Sequence, residues 1–206
     1  MALLTRASLQ EAAATLSAQD PKLGRWIERI GPVSLRRKRH HFGALCQSIL
    51  SQQIAASAAR TIHARFLELH RPAGRPDPER VLAWTDDELR ACGISAPKVR
   101  YLRALAEEFH QGALRRVRFS TLEDAQVIEC LTRVSGIGVW TAEMFLIFSL
   151  GRMDVFSVRD LALRNGVERV VGRPRTPDQI ERLARRWAPY RSVASLYLWK
   201  IAHWKK

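Results

Sequence analysis

The chain of 206 residues is long enough to bury a hydrophobic core, and 47% hydrophobic with 26% charged residues indicates a globular protein rather than a disordered one. Lysine and arginine number 34 against 20 acidic residues, so the formal net charge is +14, which favours a polyanionic partner. Nothing at the N-terminus resembles a signal peptide and no uncharged apolar run is long enough to cross a bilayer, which argues against an exported or membrane-spanning protein.

Helix-start signals recur along the chain, whereas no run alternates apolar and polar residues as a strand does. The capping box, in which a Ser or Thr precedes a Glu or Gln by three positions, predicts the start of a helix. It occurs at Ser8-x-x-Glu11, Thr85-x-x-Glu88, Ser120-x-x-Glu123 and Thr176-x-x-Gln179. Between these, residues 98–110 carry apolar side chains at helical spacing. The sequence therefore predicts an all-α fold.

An acid-free stretch covers residues 29–67, which hold seven lysines and arginines but no Asp or Glu. A run of like charge is usually a solvated face. An acid-free stretch of this length instead favours a surface that meets nucleic-acid phosphates. Within it, Ser51-Gln52-Gln53 ends one helical pattern, so either glutamine could simply cap a junction between two helices.

A glycine-punctuated turn at residues 134–138 precedes the most apolar run of the chain, residues 139–150, and a polar loop then leads to Asp160. Gly136 and Gly138 allow the backbone to approach a partner closely. The helix after them begins with amide groups that have no partner within the helix, and such groups suit a phosphate. A simple turn between two helices is the alternative interpretation.

This central stretch resembles the hairpin, following helix and catalytic loop of the helix-hairpin-helix DNA glycosylases, and more closely the branch that excises alkylated bases. The segments GIGVWTAEMF and DVFSVRDLALR carry the resemblance, and LSQQIAASAA, CGISAPKVRYLRALA and APYRSVASLYLW fit in the same order, over roughly residues 41–204. Ser135 stands where a proline is usual, and Val158 and Arg159 replace residues that are often Pro and Asp. An Arg159 side chain directed toward Asp160 should favour the ionised carboxylate.

The resemblance implies a two-lobed helical fold with an active cleft between the lobes. The expected organisation is a single compact glycosylase unit over residues 1–206. Within it, residues 1–40 pack with the C-terminal helices, and residues 41–204 form the glycosylase core, with the helix-hairpin-helix at about 121–150.

Asp160 is the candidate catalytic acid. Cleavage of an N-glycosidic bond passes through a cationic, oxocarbenium-like sugar, which a nearby carboxylate stabilises while it orients water. Locally, Ser157-x-x-Asp160 also fits a helix start, and on local sequence alone that structural role is favoured. The resemblance reverses this preference, because Asp160 falls at the position of the family's acid.

Two tryptophans and a methionine are the candidate substrate-binding residues. Most of the six tryptophans are expected in the core, and composition favours neither Trp140 nor Trp199. The resemblance implies that both line the pocket for an extruded base, with Met144 one helical turn beyond Trp140. An indole face suits a base made cationic by alkylation, because a desolvated cation–π contact contributes about 1–2 kcal/mol. Strand-cutting relatives carry a lysine where this chain has Trp140, which implies a monofunctional enzyme.

DNA contacts are also implied by the resemblance. Gln53 matches the position of a side chain that fills the gap left by the extruded base. The hairpin residues Val134, Gly136, Ile137 and Gly138 match those that hold a phosphate. The carbonyl groups of Thr132, Val134 and Ile137 match the ligands of a structural monovalent cation, and no other cofactor is expected. The three dispersed cysteines, Cys46, Cys92 and Cys130, cannot form the iron–sulfur cluster of some relatives, which needs four; they are expected as small core residues in a reducing compartment.

The sequence thus predicts a DNA glycosylase of base excision repair that removes N3- or N7-methylated purines by hydrolysis. It is expected to act as a monomer on damaged double-stranded DNA, in a bacterial cytoplasm and in association with the nucleoid. Two alternatives stay open at this point. The chain could excise deaminated or mismatched bases, or it could bind damaged DNA without turnover.

Overall fold

The computed structural model describes residues 5–204, and no strand is present among them, which confirms the predicted all-α fold. The α-helices are α1 (Arg6–Gln19), α2 (Pro21–Ile30), α3 (His41–Ser51), α4 (Ala56–Leu69), α5 (Pro78–Ala83), α6 (Asp86–Ala91), α7 (Ala96–His110), α8 (Asp124–Thr132), α9 (Val139–Phe145), α10 (Leu161–Val171), α11 (Pro177–Ala184) and α12 (Arg191–Ala202). A π-helical turn (Leu146–Leu150) and short 3₁₀ turns (Ala113–Arg116, Phe119–Thr121, Arg185–Trp187) complete the described helices.

The chain divides into two compact units. The first unit combines the segment that ends at Arg37 with the segment that begins at Leu146, and the second unit is Lys38–Phe145. The second boundary between the units falls where α9 passes into the π-helical turn.

The first unit is built around α12, which packs against α1, α2 and α10. Gly166 of α10 lies so close to α12 that an added Cβ atom would come within 2.4 Å of the Leu198 carbonyl oxygen. In the same unit the buried Trp187 donates its indole N–H to Asp20 Oδ2 at 3.1 Å. Asp20 Oδ1 in turn accepts the first amides of α2, so one carboxylate joins the start of α2 to Trp187.

The second unit is built around α7, which packs against α3, α5 and α6. Its inward residues Val99, Leu102, Leu105 and Ala106 are buried, as the helical spacing indicates. The helices α8 and α9 pack against each other and flank the glycine-rich hairpin, residues 134–138.

Two of the four predicted capping boxes are confirmed, at Thr85–Glu88 and Thr176–Gln179. The other two predictions are wrong, because each of these boxes begins three positions away from the predicted residue. Thr5 caps α1 with Ser8 as its partner, instead of Ser8 with Glu11. The Glu123 amide of α8 donates to Gln126 Oε1 at 2.9 Å, and Ser120 belongs to the preceding 3₁₀ turn.

No helix within residues 5–204 is long and apolar enough to span a bilayer. All three cysteines are free thiols; Cys46 and Cys92 are buried, and Cys130 is half-buried.

The buried imidazole of His70 in the second unit has a pH-dependent consequence for stability. Its ring packs edge-on against Phe66 and Trp84, with centroids 4.9 and 4.6 Å apart, and its Nδ1 accepts the Asp77 amide at 3.3 Å. Its Nε2 is buried without a partner among the described residues. Burial, together with the positive charge of Arg80, lowers the pKa of His70 from 6.5 to about 4.

Because the folded pKa of His70 lies below the unfolded one, the unfolded chain binds more protons between these two values. The free energy of unfolding should therefore fall as the pH drops from 6.5 toward about 4, by on the order of 3 kcal/mol in full. His70→Phe, which keeps an aromatic ring, should flatten this dependence in urea unfolding measured across that window. Equal pH dependence in wild type and variant would contradict the assignment.

Candidate active site

Asp160 lies at the N-terminus of α10, where it is only 9% exposed. Its Oδ1 accepts two hydrogen bonds, from the Leu163 amide at 2.8 Å and from the Trp199 indole N–H at 3.2 Å. Asp160 therefore does cap a helix, and the same contacts fix the direction of its carboxylate. The N-terminal end of a helix also favours negative charge. A fixed anion at a helix start is suited to stabilise a cation that develops in front of it.

The loop before Asp160 is fastened to the start of α12. The Arg191 guanidinium binds the Asp154 carboxylate through Nε at 2.8 Å and Nη2 at 3.0 Å. The Ser192 amide donates to the Met153 carbonyl at 2.9 Å, and Ser192 Oγ accepts the Val155 amide at 2.9 Å. Because α12 also carries Trp199, one helix positions both the loop and the indole that contacts Asp160.

Trp199 is half-buried and its ring lies against Phe148, with centroids 5.4 Å apart and an angle of 30° between the planes. The sequence predicted this tryptophan as a surface for an extruded base. Its hydrogen bond to Asp160 was not predicted, because nothing in the spacing of residues 160 and 199 indicates the direction of an indole N–H. Arg159, in contrast, is exposed.

Trp140 and Met144 form a separate pair in the second unit. They are four residues apart on α9 and so lie on the same face of that helix. Met144 is 7% exposed, and Trp140 is half-buried. The structure thus brings Asp160 together with Trp199, and Trp140 together with Met144.

The hairpin is held by two turn hydrogen bonds, from the Val134 amide to the Leu131 carbonyl at 3.1 Å and from the Ile137 amide to the Val134 carbonyl at 3.0 Å. Gly136 has φ +86°, and a Cβ atom there would lie 2.2 Å from Cγ of Tyr101. Only glycine fits this position. Val134 and Ile137 are buried, whereas Gly138 is exposed with open space around it. The exposed start of α9 therefore leaves room for a ligand at its first amides.

Gln52 and Gln53 have different environments. Gln53 is exposed and adopts φ +55°, an uncommon conformation for a residue other than glycine. The Gln52 side chain points toward the hairpin instead, and its Nε2 donates to the Gly136 carbonyl at 2.9 Å. Gln52 is thus the structural residue of the junction, and Gln53 is the side chain that projects from it.

Lys98 is a site residue that sequence reasoning missed. Its half-buried ammonium group donates to the Leu50 carbonyl at 2.8 Å and the Gln52 carbonyl at 2.9 Å. Burial lowers the pKa of Lys98. In the sequence, Lys98 is marked only by its place in the matched segment CGISAPKVRYLRALA, which does not indicate a partner for its side chain.

Comparison with known proteins places these features in a family. A sequence model described as "HhH-GPD superfamily base excision DNA repair protein" matches residues 46–190. DNA-3-methyladenine glycosylase 1 of Schizosaccharomyces pombe is 35% identical over 201 residues, which cover 95% of this chain and 88% of that protein.

Two solved structures have the same fold. The DNA-3-methyladenine glycosidase of Bacillus halodurans superposes with a TM-score of 0.82 at 39% identity, covering 93% of this chain and 89% of that one. The 3-methyladenine DNA glycosylase of S. pombe, solved in complex with abasic DNA, superposes with a TM-score of 0.82 at 34% identity, covering 92% and 95%.

Proposed function

Because the chain belongs to the HhH-GPD superfamily of base excision DNA repair proteins, we propose that it is a DNA glycosylase that excises alkylated purines. The observation that carries this proposal is the Asp160 carboxylate, held by Leu163 and Trp199 at the start of α10. The similarity to proteins named DNA-3-methyladenine glycosylase supports N3- and N7-methylated purines as the substrate class.

The chemistry of these lesions fits a site of this kind. Methylation at a ring nitrogen makes the purine cationic, which weakens the N-glycosidic bond and leaves a good leaving group. As that bond breaks, positive charge develops on the sugar, and the Asp160 carboxylate stabilises it and orients the attacking water. Trp199 is proposed to contact the extruded base, and the resemblance names Trp140 and Met144 as further candidates for that contact. Stacking on indole favours a cationic base over a neutral one.

Extrusion of the base requires that the enzyme grip the DNA and replace the missing partner in the stack. The start of α9 after the hairpin is proposed to bind a backbone phosphate without reading sequence. Gln53, exposed on its turn, is proposed to enter the duplex where the damaged nucleotide leaves.

We further propose that one copy acts on one lesion, as a monomer on the bacterial nucleoid. The free thiols agree with a reducing cytoplasm, and light scattering of the enzyme–DNA complex tests the stoichiometry.

A lesion panel tests the proposed function. Single-turnover reactions on otherwise identical duplexes should release base from the 7-methylguanine duplex and leave the uracil-containing and undamaged duplexes intact. Release from the uracil duplex instead would support excision of deaminated bases. Tight binding to the methylated duplex without release would support a non-catalytic damage-binding protein.

The product is expected to be an intact abasic site, because the position that carries the attacking lysine in strand-cutting relatives offers no amine in this chain. Position 140 is a tryptophan where strand-cutting relatives have a lysine. The Lys98 ammonium is bound to two carbonyl groups, and Lys200 is exposed on α12. Borohydride added during turnover should therefore trap no covalent complex, and the strand should break only after alkali. Trapping at the rate of base release would contradict hydrolysis by water and point to a lysine nucleophile.

Binding should depend strongly on ionic strength, because each neutralised phosphate contributes a slope of about −0.9 in a plot of log affinity against log salt. A threefold rise in potassium chloride should weaken undamaged duplex binding by about tenfold or more, alike for different sequences. We also propose that the carbonyl groups of Thr132, Val134 and Ile137 hold a monovalent cation, since carbonyl oxygens suit hard cations. Choline chloride at equal ionic strength should then give weaker binding than potassium chloride. A flat salt response would contradict phosphate binding, and equal affinity in the two salts would contradict the cation.

A further inference from the structure

Three hydrogen bonds join the turn that carries Gln53 to the hairpin and to α7. The segment Leu50–Gln53 is here named the wedge turn. The Lys98 ammonium on α7 binds the Leu50 and Gln52 carbonyls of this turn, at 2.8 and 2.9 Å. The Gln52 side chain binds the Gly136 carbonyl of the hairpin at 2.9 Å. All of these contacts lie within the second unit.

The position of Lys98 is explained by carbonyl groups that have no partner within a helix. The last carbonyl groups of a helix have no partner within the helix, and that end attracts positive charge. The Lys98 ammonium binds the Leu50 carbonyl in the last turn of α3 and the carbonyl of Gln52, which follows that helix, and it forms no ion pair within residues 5–204. Because this half-buried lysine binds only backbone carbonyl groups, it holds the backbone of the wedge turn in one conformation.

The same face of α7 also supports the hairpin. Tyr101 lies one helical turn beyond Lys98, and its ring occupies the space that a side chain at Gly136 would need. The hairpin and the wedge turn are therefore seated on one face of α7, and Gln52 links them directly. α7, the wedge turn and the hairpin therefore each contact the other two, and this set of contacts is here named the triangle.

The strained backbone of Gln53 is explained by this triangle. A residue other than glycine at φ +55° persists when its surroundings determine the conformation. Here the preceding carbonyl is held by Lys98 and the preceding side chain by the hairpin. Gln53 itself is exposed at the end of the wedge turn.

We propose that Lys98 and Gln52 are positioning residues that lock Gln53 to the phosphate-binding hairpin, so that gripping the backbone and filling the gap in the duplex occur as one movement. The roles of the hairpin and of Gln53 rest on the proposed function. The mechanical coupling between the two segments does not, and it can be tested in the free protein.

Amide hydrogen exchange tests the coupling without any substrate. Lys98→Met keeps the length of the side chain and removes its charge and its N–H donors. Exchange should accelerate about tenfold at the Gln52 amide and also at the Ile137 amide, although Lys98 does not touch the hairpin. Lys98→Arg should restore slow exchange at both, and the exposed Lys22→Met serves as the charge-matched control. Faster exchange confined to the wedge turn would overturn the proposal. If Lys98→Met fails to fold, Gln52→Met carries the same test, with both amides again expected to accelerate.

Base release provides the second arm. In a fully paired duplex, Lys98→Met should slow single-turnover release of 7-methylguanine by about tenfold, while the affinity for undamaged duplex changes less than about twofold. When the lesion lies in a bulge with no opposing base, the loss should shrink to within about threefold, because extrusion then needs little help. Equal losses on paired and bulged DNA would mean a general structural defect and would overturn the proposal. A wild type that releases no base from either substrate would refute the proposed function, and hydrogen exchange would still decide the coupling.

Discussion

Asp160→Asn is expected to slow the release of 7-methylguanine by at least about a hundredfold, the usual loss when a group that stabilises transition-state charge is removed. Asparagine has nearly the same shape and keeps an oxygen that can accept from Leu163 and Trp199, so the cap of α10 is retained. What disappears is the negative charge that faces the developing cation. Because this charge acts on the transition state, duplex affinity should stay within about threefold. Single-turnover release and fluorescence anisotropy measure the two quantities.

Asp178→Asn is the matched control for this substitution. Asp178 lies exposed in the first turn of α11, so the variant removes the same charge from the same kind of helix start. It should leave the rate unchanged. An Asp160→Asn enzyme that retains more than about a tenth of the wild-type rate, a loss below ~1.4 kcal/mol, would rule out Asp160 as the catalytic carboxylate.

Substitutions of Trp199 should separate two roles of one indole. Trp199→Phe keeps an aromatic face and loses the N–H that donates to Asp160 Oδ1 at 3.2 Å. Hydrogen bonds to charged groups contribute about 1.5–3 kcal/mol, so a loss of about tenfold or more is expected. It should be similar for the cationic 7-methylguanine and for a neutral alkylated purine such as 1,N6-ethenoadenine, because the carboxylate serves both. Trp199→Ala also removes the aromatic face and should add a further loss for the cationic 7-methylguanine alone.

Trp26→Phe is the control, since Trp26 is a half-buried tryptophan of the same unit that packs against Trp204. It should change neither rate. If Trp199→Phe matches wild type on both lesions, the hydrogen bond to Asp160 has no part in catalysis. If Trp199→Ala reduces both lesions equally beyond the loss of the Phe variant, the indole is a wall of the site rather than a surface that selects cations.

Local features of this fold were predictable from sequence because their causes are local. The capping boxes at Thr85 and Thr176 use residues three positions apart, and the structure forms both. The incorrect predictions at Ser8 and Ser120 have the same origin. In each case two polar motifs overlap three positions apart, and the sequence does not indicate which residue adopts the extended backbone of an N-cap.

The contacts that shape the candidate site were not predictable, because they join residues far apart in the chain. Gln52 bonds to Gly136 across 84 positions, and Lys98 bonds to Leu50 across 48. Spacing rules cover one or two helical turns and cannot reach such pairs. The same limit explains why Gln52 was assigned no contact with the hairpin, and why Trp199 was assigned an aromatic face but not a donor. The family resemblance identified Asp160, and packing in three dimensions supplied its partners.

The most direct test of the account is to count both products from a duplex that contains a single 7-methylguanine, under single-turnover conditions with wild-type enzyme. Chromatography measures the free base, and strand breaks before and after alkali measure the abasic site. The account predicts free 7-methylguanine and alkali-labile sites in equal amounts, with no breaks before alkali. Binding of this duplex without free base would contradict it.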